Sequence, residues 1–138
     1  MKITNQELAA IARRAMGFAV APYSNFRVGA ALVANTGRVF TGCNIENSSY
    51  GLTICAERTA LFKAISEGVR DFSAIAIASD DPGFTSPCGA CRQVLIELAG
   101  NIEVVLVNSK QHLKVHKLNT LIPLAFTAKN LKRSRVKK

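Results

Sequence analysis

Cysteine and glutamate share the short stretch TICAERTA (residues 53–60), where Cys55 stands two positions before Glu57. Two more cysteines, Cys88 and Cys91, follow in SPCGACRQVL (residues 86–95). Cysteines three apart at a helix start lie on one face, and the backbone N–H groups and helix dipole there favour thiolate. Two thiolates are too few for a tight zinc site, which ordinarily takes three or four protein ligands. Cys55 supplies a third if the strands leading into the two helices are neighbours, so that both helix starts emerge at one end of a sheet. Three thiolates leave one tetrahedral position for water, whose pKa zinc lowers toward neutrality. Glu57 can take a proton from that water and deliver it to a substrate. In a regular helix, residues two apart diverge by about 200°, so Cys55 and Glu57 share a site only if Cys55 is the non-helical cap. Zinc with three thiolates is negatively charged overall and acidifies water poorly without a positive partner; Arg58, next to Glu57, can hydrogen-bond to the sulfurs.

Other readings of the same residues stand beside this one. A C-x-x-C pair alone favours a structural metal site, and Cys43 could complete a four-cysteine one. Cys43, however, sits inside the strand-like RVFTGCNI (residues 38–45), where a small buried residue is ordinary. His112 and His116 flank an edge-strand pattern and are read as solvated or structural.

The elements that must position these groups can be read from periodicity. Thr4 and Glu7 fit a capping box, and Leu8, Ile11, Ala12, Ala15 and Met16 continue a helix over about residues 5–18. VGAALVA and RVFTGCNI read as strands joined by a hairpin turn at Asn35, Thr36 and Gly37. A second helix runs from the Cys55 motif to near Gly68. SAIAIAS is a buried strand, DDPGFTSP a loop. Ser86 and Pro87 suit the cap and first turn of a third helix, which closes near Gly100. IEVVLV is another buried strand, LKVHK an edge strand, and a short last helix can follow. The order α-β-β-α-β-α-β-β predicts a mixed sheet covered by helices on both faces.

The 138 residues suit one domain with a real core, and 49% apolar with 20% charged residues suits a folded, soluble chain. No apolar run approaches the roughly 18 residues of a membrane span. Arg13 and Arg14 interrupt the one signal-peptide-like stretch, LAAIARRAMGFAVA. The expected compartment is therefore the cytoplasm, where cysteines serve more often as ligands or catalytic groups than in disulfides. Of the net charge of +9, residues 129–138 contribute six basic groups and no acid, which leaves +3 on the rest. The reading is one domain over residues 1–128 and a basic, disordered tail over residues 129–138, able at most to touch nucleic acid weakly through phosphates.

C-A-E followed by P-C-x-x-C resembles the zinc nucleoside and nucleotide deaminases, in the variant whose first ligand is cysteine rather than histidine. FRVGAAL, GCNIENSSYG, ICAERTAL, SPCGACRQVL and LIPLAF together resemble the small, homotetrameric cytidine deaminases, in that family's order and over nearly the whole chain. The resemblance implies an α/β fold, a three-layer α/β/α sandwich around a five-stranded mixed sheet. It implies hydrolysis of cytidine and deoxycytidine to uridine and deoxyuridine with release of ammonia, in pyrimidine salvage. It also implies one Zn²⁺ per chain on Cys55, Cys88 and Cys91, with Glu57 moving protons to N3 and to the departing amino group. Asn44 and Glu46 would bind the ribose hydroxyls, Phe26 would pack on the pyrimidine, and the Ala56 N–H would bind the base carbonyl. Tyr50 and Phe126 would enter or border a neighbouring subunit's active site, and Gln93, like Arg58, would support the metal site.

Three rival functions remain in view. A deaminase of RNA or DNA bases would need stacking surfaces, and this chain has 7% aromatics and no tryptophan. An aminoglycosyl-nucleoside antibiotic deaminase shares the three cysteines but not the N-x-E-N stretch. A purely structural zinc module has no use for Glu57 or an open fourth position.

Overall fold

The computed structural model describes residues 2–135. Its elements are α1 (Asn5–Met16), β1 (Val28–Ala34), β2 (Val39–Cys43), a 3-10 turn (Tyr50–Leu52), α2 (Ala56–Ser66), β3 (Phe72–Ser79), α3 (Gly89–Leu98), β4 (Glu103–Val107), β5 (Leu113–Lys117), α4 (Leu118–Leu121) and α5 (Ala128–Arg135). The strands form one sheet in the order β2-β1-β3-β4-β5, in which only the β3–β4 pairing is parallel.

Alternation along the strands builds two cores. Ala31, Val33, Ala74, Ala76, Ala78, Val105 and Val107 face α1 through its Leu8, Ala9 and Ala12. Ala30, Leu32, Ile75, Ile77, Val104 and Leu106 face Ala60, Leu61 and Ala64 of α2 and Leu95 of α3. This is the expected α/β/α sandwich, with β1 buried along its whole length between its partners. Each fully buried Leu or Ile contributes roughly 1.5–3 kcal/mol, so helix placement is decided by this packing. The Thr4–Glu7 capping box forms as expected, Thr4 Oγ1 accepting from Glu7 N and Glu7 Oε1 from Thr4 N.

Two glycines let helices lie against the sheet backbone. A Cβ on Gly29 would stand 2.1 Å from the Ala12 carbonyl oxygen of α1, and one on Gly42 would stand 2.4 Å from the Ala56 oxygen and 2.5 Å from the Ala60 nitrogen of α2. The second contact sets the height of the α2 start, and with it Cys55 and Glu57.

Four expectations change. The strands that feed the motif helices are not neighbours: β1 lies between β2 and β3. Two successive antiparallel pairings nevertheless leave β2 and β3 running the same way, so both helix starts still reach one end of the sheet. Ser86 does not cap α3; Cys88 is its N-cap, with φ −65° and ψ 167°. Pro87 restricts Ser86 to extended backbone and so delays the helix. The first helix stops at Met16, where Gly17 caps it. The basic segment expected to be disordered is helical over Ala128–Arg135; Asn130 Oδ1 accepts from Thr127 N at its start, which supplies a cap that charge counting overlooks. The remaining tail residues, 136–138, lie outside the described residues.

Substituting Gly42→Ala is expected to cost about 3 kcal/mol, the upper end for overpacking, because the clash is with helix backbone rather than a movable side chain. Urea unfolding checks the loss, and zinc retention should fall with it because α2 must shift.

Candidate active site

Cys55 is the N-cap of α2 and Cys88 the N-cap of α3, while Cys91 lies in the first turn of α3. Their sulfurs all lie within 4.8 Å of one another, and the Cys55–Cys88 separation is 3.9 Å. Sulfurs bound tetrahedrally to zinc at about 2.3 Å stand about 3.8 Å apart, so the donor set fits that ion by element, number and spacing. Cys43 is a half-buried thiol in β2 and is not part of the cluster. Its pKa is raised by burial, which suits an inert packing residue rather than a ligand.

The charge distribution is that of a site waiting for a cation. A hydrogen bond from Cys91 and then the Arg58 guanidinium lower the Cys55 pKa to about 5. The same bond to Cys55, with burial, pushes Cys91 far up. Arg58 Nη2 donates to Cys55 Sγ at 3.3 Å, and its bond to Cys55 holds the guanidinium charged. Arg58 Nε is buried without a hydrogen-bond partner among the described residues.

Glu57 is 5% exposed. Burial raises its pKa to about 7, helped by the neighbouring Cys55 charge. A carboxyl that gains and loses its proton near neutrality is suited to general acid–base work. Ala56, the first residue of α2, carries an N–H with no intrahelical partner.

Beside this centre lies a polar loop. Ile45 and Ile54 exchange two backbone hydrogen bonds of 3.0 Å, tying the 44–46 segment to the residue preceding Cys55. Asn44 is buried; its Oδ1 accepts from Val28 N at 2.9 Å, and its Nδ2 donates to the Phe26 carbonyl at 2.8 Å. Glu46 Oε1 accepts from Tyr23 N and Ser24 N at 3.0 and 3.1 Å, and Ser24 Oγ donates to Oε2. These bonds, the Ser24 hydroxyl first, lower the Glu46 pKa and keep it a carboxylate. A cavity of about 360 Å³ is lined by Tyr23, Ser24, Glu46, Asn47, Tyr50 and Thr53. A larger one, about 640 Å³, opens between the start of α1 and the opposite end of the sheet, and none of Cys55, Glu57, Cys88, Cys91, Asn44 or Glu46 lines it. Titratable groups and ligands locate the chemistry at the smaller cavity's end.

Tyr50 is 74% exposed and stacks edge-on with Tyr23, their ring centroids 6.0 Å apart. Phe126 is exposed on the segment after α4. Gln93, expected to support the metal site, instead donates to the Phe126 carbonyl at 2.8 Å and anchors that segment to α3. Sequence reasoning missed Ser24 and Arg92. Arg92 donates to the carbonyls of Pro87 at 2.7 Å and Leu121 at 2.6 Å, and to Ser86 Oγ at 3.1 Å, fixing the loop that carries Cys88. An arginine adjacent to a ligand cysteine was the available signal, and its range of partners could not be read from one dimension.

An α/β/α sandwich with three thiols and a buried proton-carrying glutamate at two helix starts defines a zinc-dependent hydrolytic centre. The family model described as the cytidine and deoxycytidylate deaminase zinc-binding region matches residues 2–108. The chain is 49% identical over 127 residues to a cytidine deaminase of Sporosarcina psychrophila, covering 91% of this chain and 93% of that protein. It is 53% identical over 114 residues to a cytidine deaminase of Halalkalibacterium halodurans, covering 82% and 86% respectively. The crystal structure of a cytidine deaminase from Burkholderia pseudomallei superposes with a TM-score of 0.87 at 53% identity, over 90% of this chain and all of that one. One from Mycobacterium tuberculosis gives 0.78 at 38% identity, over 91% and 98%. The chain belongs to the cytidine and deoxycytidylate deaminase family.

Replacing Cys55, Cys88 or Cys91 with Ala should remove most bound zinc, whereas Cys43→Ala should keep it. Elemental analysis of the purified variants checks this, and equal loss in Cys43→Ala would restore the four-cysteine reading.

Proposed function

We propose that this protein hydrolyses cytidine and deoxycytidine to uridine and deoxyuridine, releasing ammonia, as a step of pyrimidine salvage. The observation that carries the reading is Glu57, buried and titrating near neutrality beside three sulfurs set for zinc. One Zn²⁺ per chain, when bound, supplies Lewis acidity beside Glu57. The protein's own groups do the rest. Glu57 takes a proton from the attacking water and gives it to N3 of the pyrimidine as oxygen adds to C4. It then relays a proton to the amino nitrogen, the C4–N bond breaks, and ammonia leaves. The Ala56 N–H meets the base carbonyl, Phe26 packs on the ring, and Asn44 and Glu46 receive the sugar hydroxyls. Arg58 offsets the negative charge of the thiolates.

The reading includes a homotetramer in the cytoplasm. Support for assembly comes from the exposure of large apolar side chains, Phe18, Tyr50, Leu52, Leu124 and Phe126. Tyr50 and Phe126 would then border a neighbour's active site. Four free thiols suit a reducing compartment, and among the described residues no helix is long and apolar enough to cross a membrane. After Glu103 the chain carries nine Lys and Arg and no acid. Any contact of this end with nucleic acid would run through phosphates and fade as salt rises.

Glu57→Gln should keep fold and zinc while losing turnover of cytidine by about 10⁴-fold or more, since one group serves several proton transfers. Ultraviolet-monitored kinetics with zinc measured on the same sample decides it; activity within a few-fold of the parent would remove Glu57 from this role. In sedimentation the parent should run as a tetramer, and Phe126→Ala should raise KM for cytidine; a fully active monomer contradicts the assembly.

A further inference from the structure

Glu46 is not held by the sheet but by one loop. A carboxylate offers about four acceptor sites, and the Tyr23 N–H, the Ser24 N–H and the Ser24 hydroxyl occupy three of them. One site on Oε2 is left for a ligand hydroxyl. The Ser24 hydroxyl spends its one proton on Glu46 and accepts from Phe26 N at 3.0 Å. Asn25 between them takes the left-handed conformation, φ 56°, which asparagine tolerates better than most residues. That turn is what returns the Phe26 N–H to the serine oxygen. The Phe26 peptide is then held at both ends, its carbonyl by Asn44 Nδ2. Ser24 thus sits between the carboxylate that faces the cavity and the residue that packs on the base.

We propose that Ser24 is a positioning residue that aims the free acceptor of Glu46 at the sugar hydroxyl. The proposal rests on the reading of Asn44 and Glu46 as the sugar-recognising pair. Without the serine hydroxyl, Oε2 loses its one donor among the described residues, and the carboxylate can rotate about its last bond while Oε1 stays tethered. Sugar recognition should suffer and proton transfer at Glu57 should not, because no hydrogen bond described for Glu57 or the cysteines involves this loop. A role in folding alone would weaken all nucleosides alike.

Steady-state kinetics on cytidine and 3′-deoxycytidine with the zinc-loaded parent, Ser24→Ala and Ser24→Thr test it. The parent should prefer cytidine in kcat/KM. Ser24→Ala should shrink that preference roughly ten- to hundredfold, the range for a hydrogen bond to a charged group, through KM for cytidine with kcat nearly unchanged. Ser24→Thr, which keeps the hydroxyl, should restore it. If alanine loosens the loop enough to unfold the protein, Ser24→Cys, a weak donor of similar size, serves instead and should also lose the preference. A preference that survives in Ser24→Ala or Ser24→Cys, or a loss equal on both nucleosides, overturns the role of Ser24 alone. A parent that treats both nucleosides equally overturns the sugar-site reading and the proposal with it.

Discussion

Three thiol sulfurs within 4.8 Å of one another cannot all ionise without a cation between them, since like charges at that range repel strongly. Hydrogen bonding and the Arg58 guanidinium favour the thiolate at Cys55. Everything else serves to hold this unfavourable grouping in place. The two cores grip α1 on one face and α2 and α3 on the other, and the backbone contact at Gly42 fixes how high α2 rides. Arg58 contributes a positive charge bonded directly to Cys55. Burial of Glu57 follows from the same packing, because its neighbours Ala56 and Ala60 lie flush against the sheet. The raised pKa of that glutamate is therefore a consequence of how closely α2 packs.

The sandwich was legible because period-2 and period-3.6 patterns are long and mutually consistent here: VGAALVA, SAIAIAS and IEVVLV admit few readings but buried strands. That Cys55, Cys88 and Cys91 come together was legible because both motifs open helices, and helix starts that leave one end of a sheet converge. The order of strands was not. Adjacent β2 and β3 and the observed β2-β1-β3 both bring the helix starts together, because inserting one antiparallel strand between two parallel ones preserves their direction. Spacing alone cannot distinguish these arrangements. Nor could it place Gln93, whose amide reaches 33 residues along the chain to Phe126. The helical turn of Ala128–Arg135 escaped for a different reason. Charge runs are ordinarily solvated coil, and a single asparagine side chain at the start was enough to favour a helix.

The loop that carries Glu46 and the residues leading into Cys55 are joined by a short series of backbone bonds. Val20 pairs with Asn44 and Glu46 through backbone bonds of 3.0 and 2.8 Å, and Ile45 pairs with Ile54, immediately before Cys55. This explains how residues from three separate stretches of sequence keep a fixed relation without a sheet to hold them. The isolated bridges at Val20, Ile45 and Ile54 extend the order of β2 beyond its last ladder bond.

Helix caps show where function displaces stability. The best N-caps are Ser, Thr, Asp and Asn, whose oxygens bond to the exposed N–H groups, and losing such a cap costs about 1 kcal/mol. Thr4 fills that role for α1, in a chain otherwise able to encode it. Yet α2 and α3 are both capped by cysteine, and neither side chain makes a cap hydrogen bond. The sulfurs are turned instead toward each other. Two of the three long helices thus forgo a stabilising bond at their starts, and both do so at the same end of the sheet. A structural zinc knot would show the same caps, but it would not bury a carboxylate between them with no salt-bridge partner among the described residues. Burial disfavours the charged form of that glutamate, so, like the two cysteine caps, it is a group that packing alone would not select.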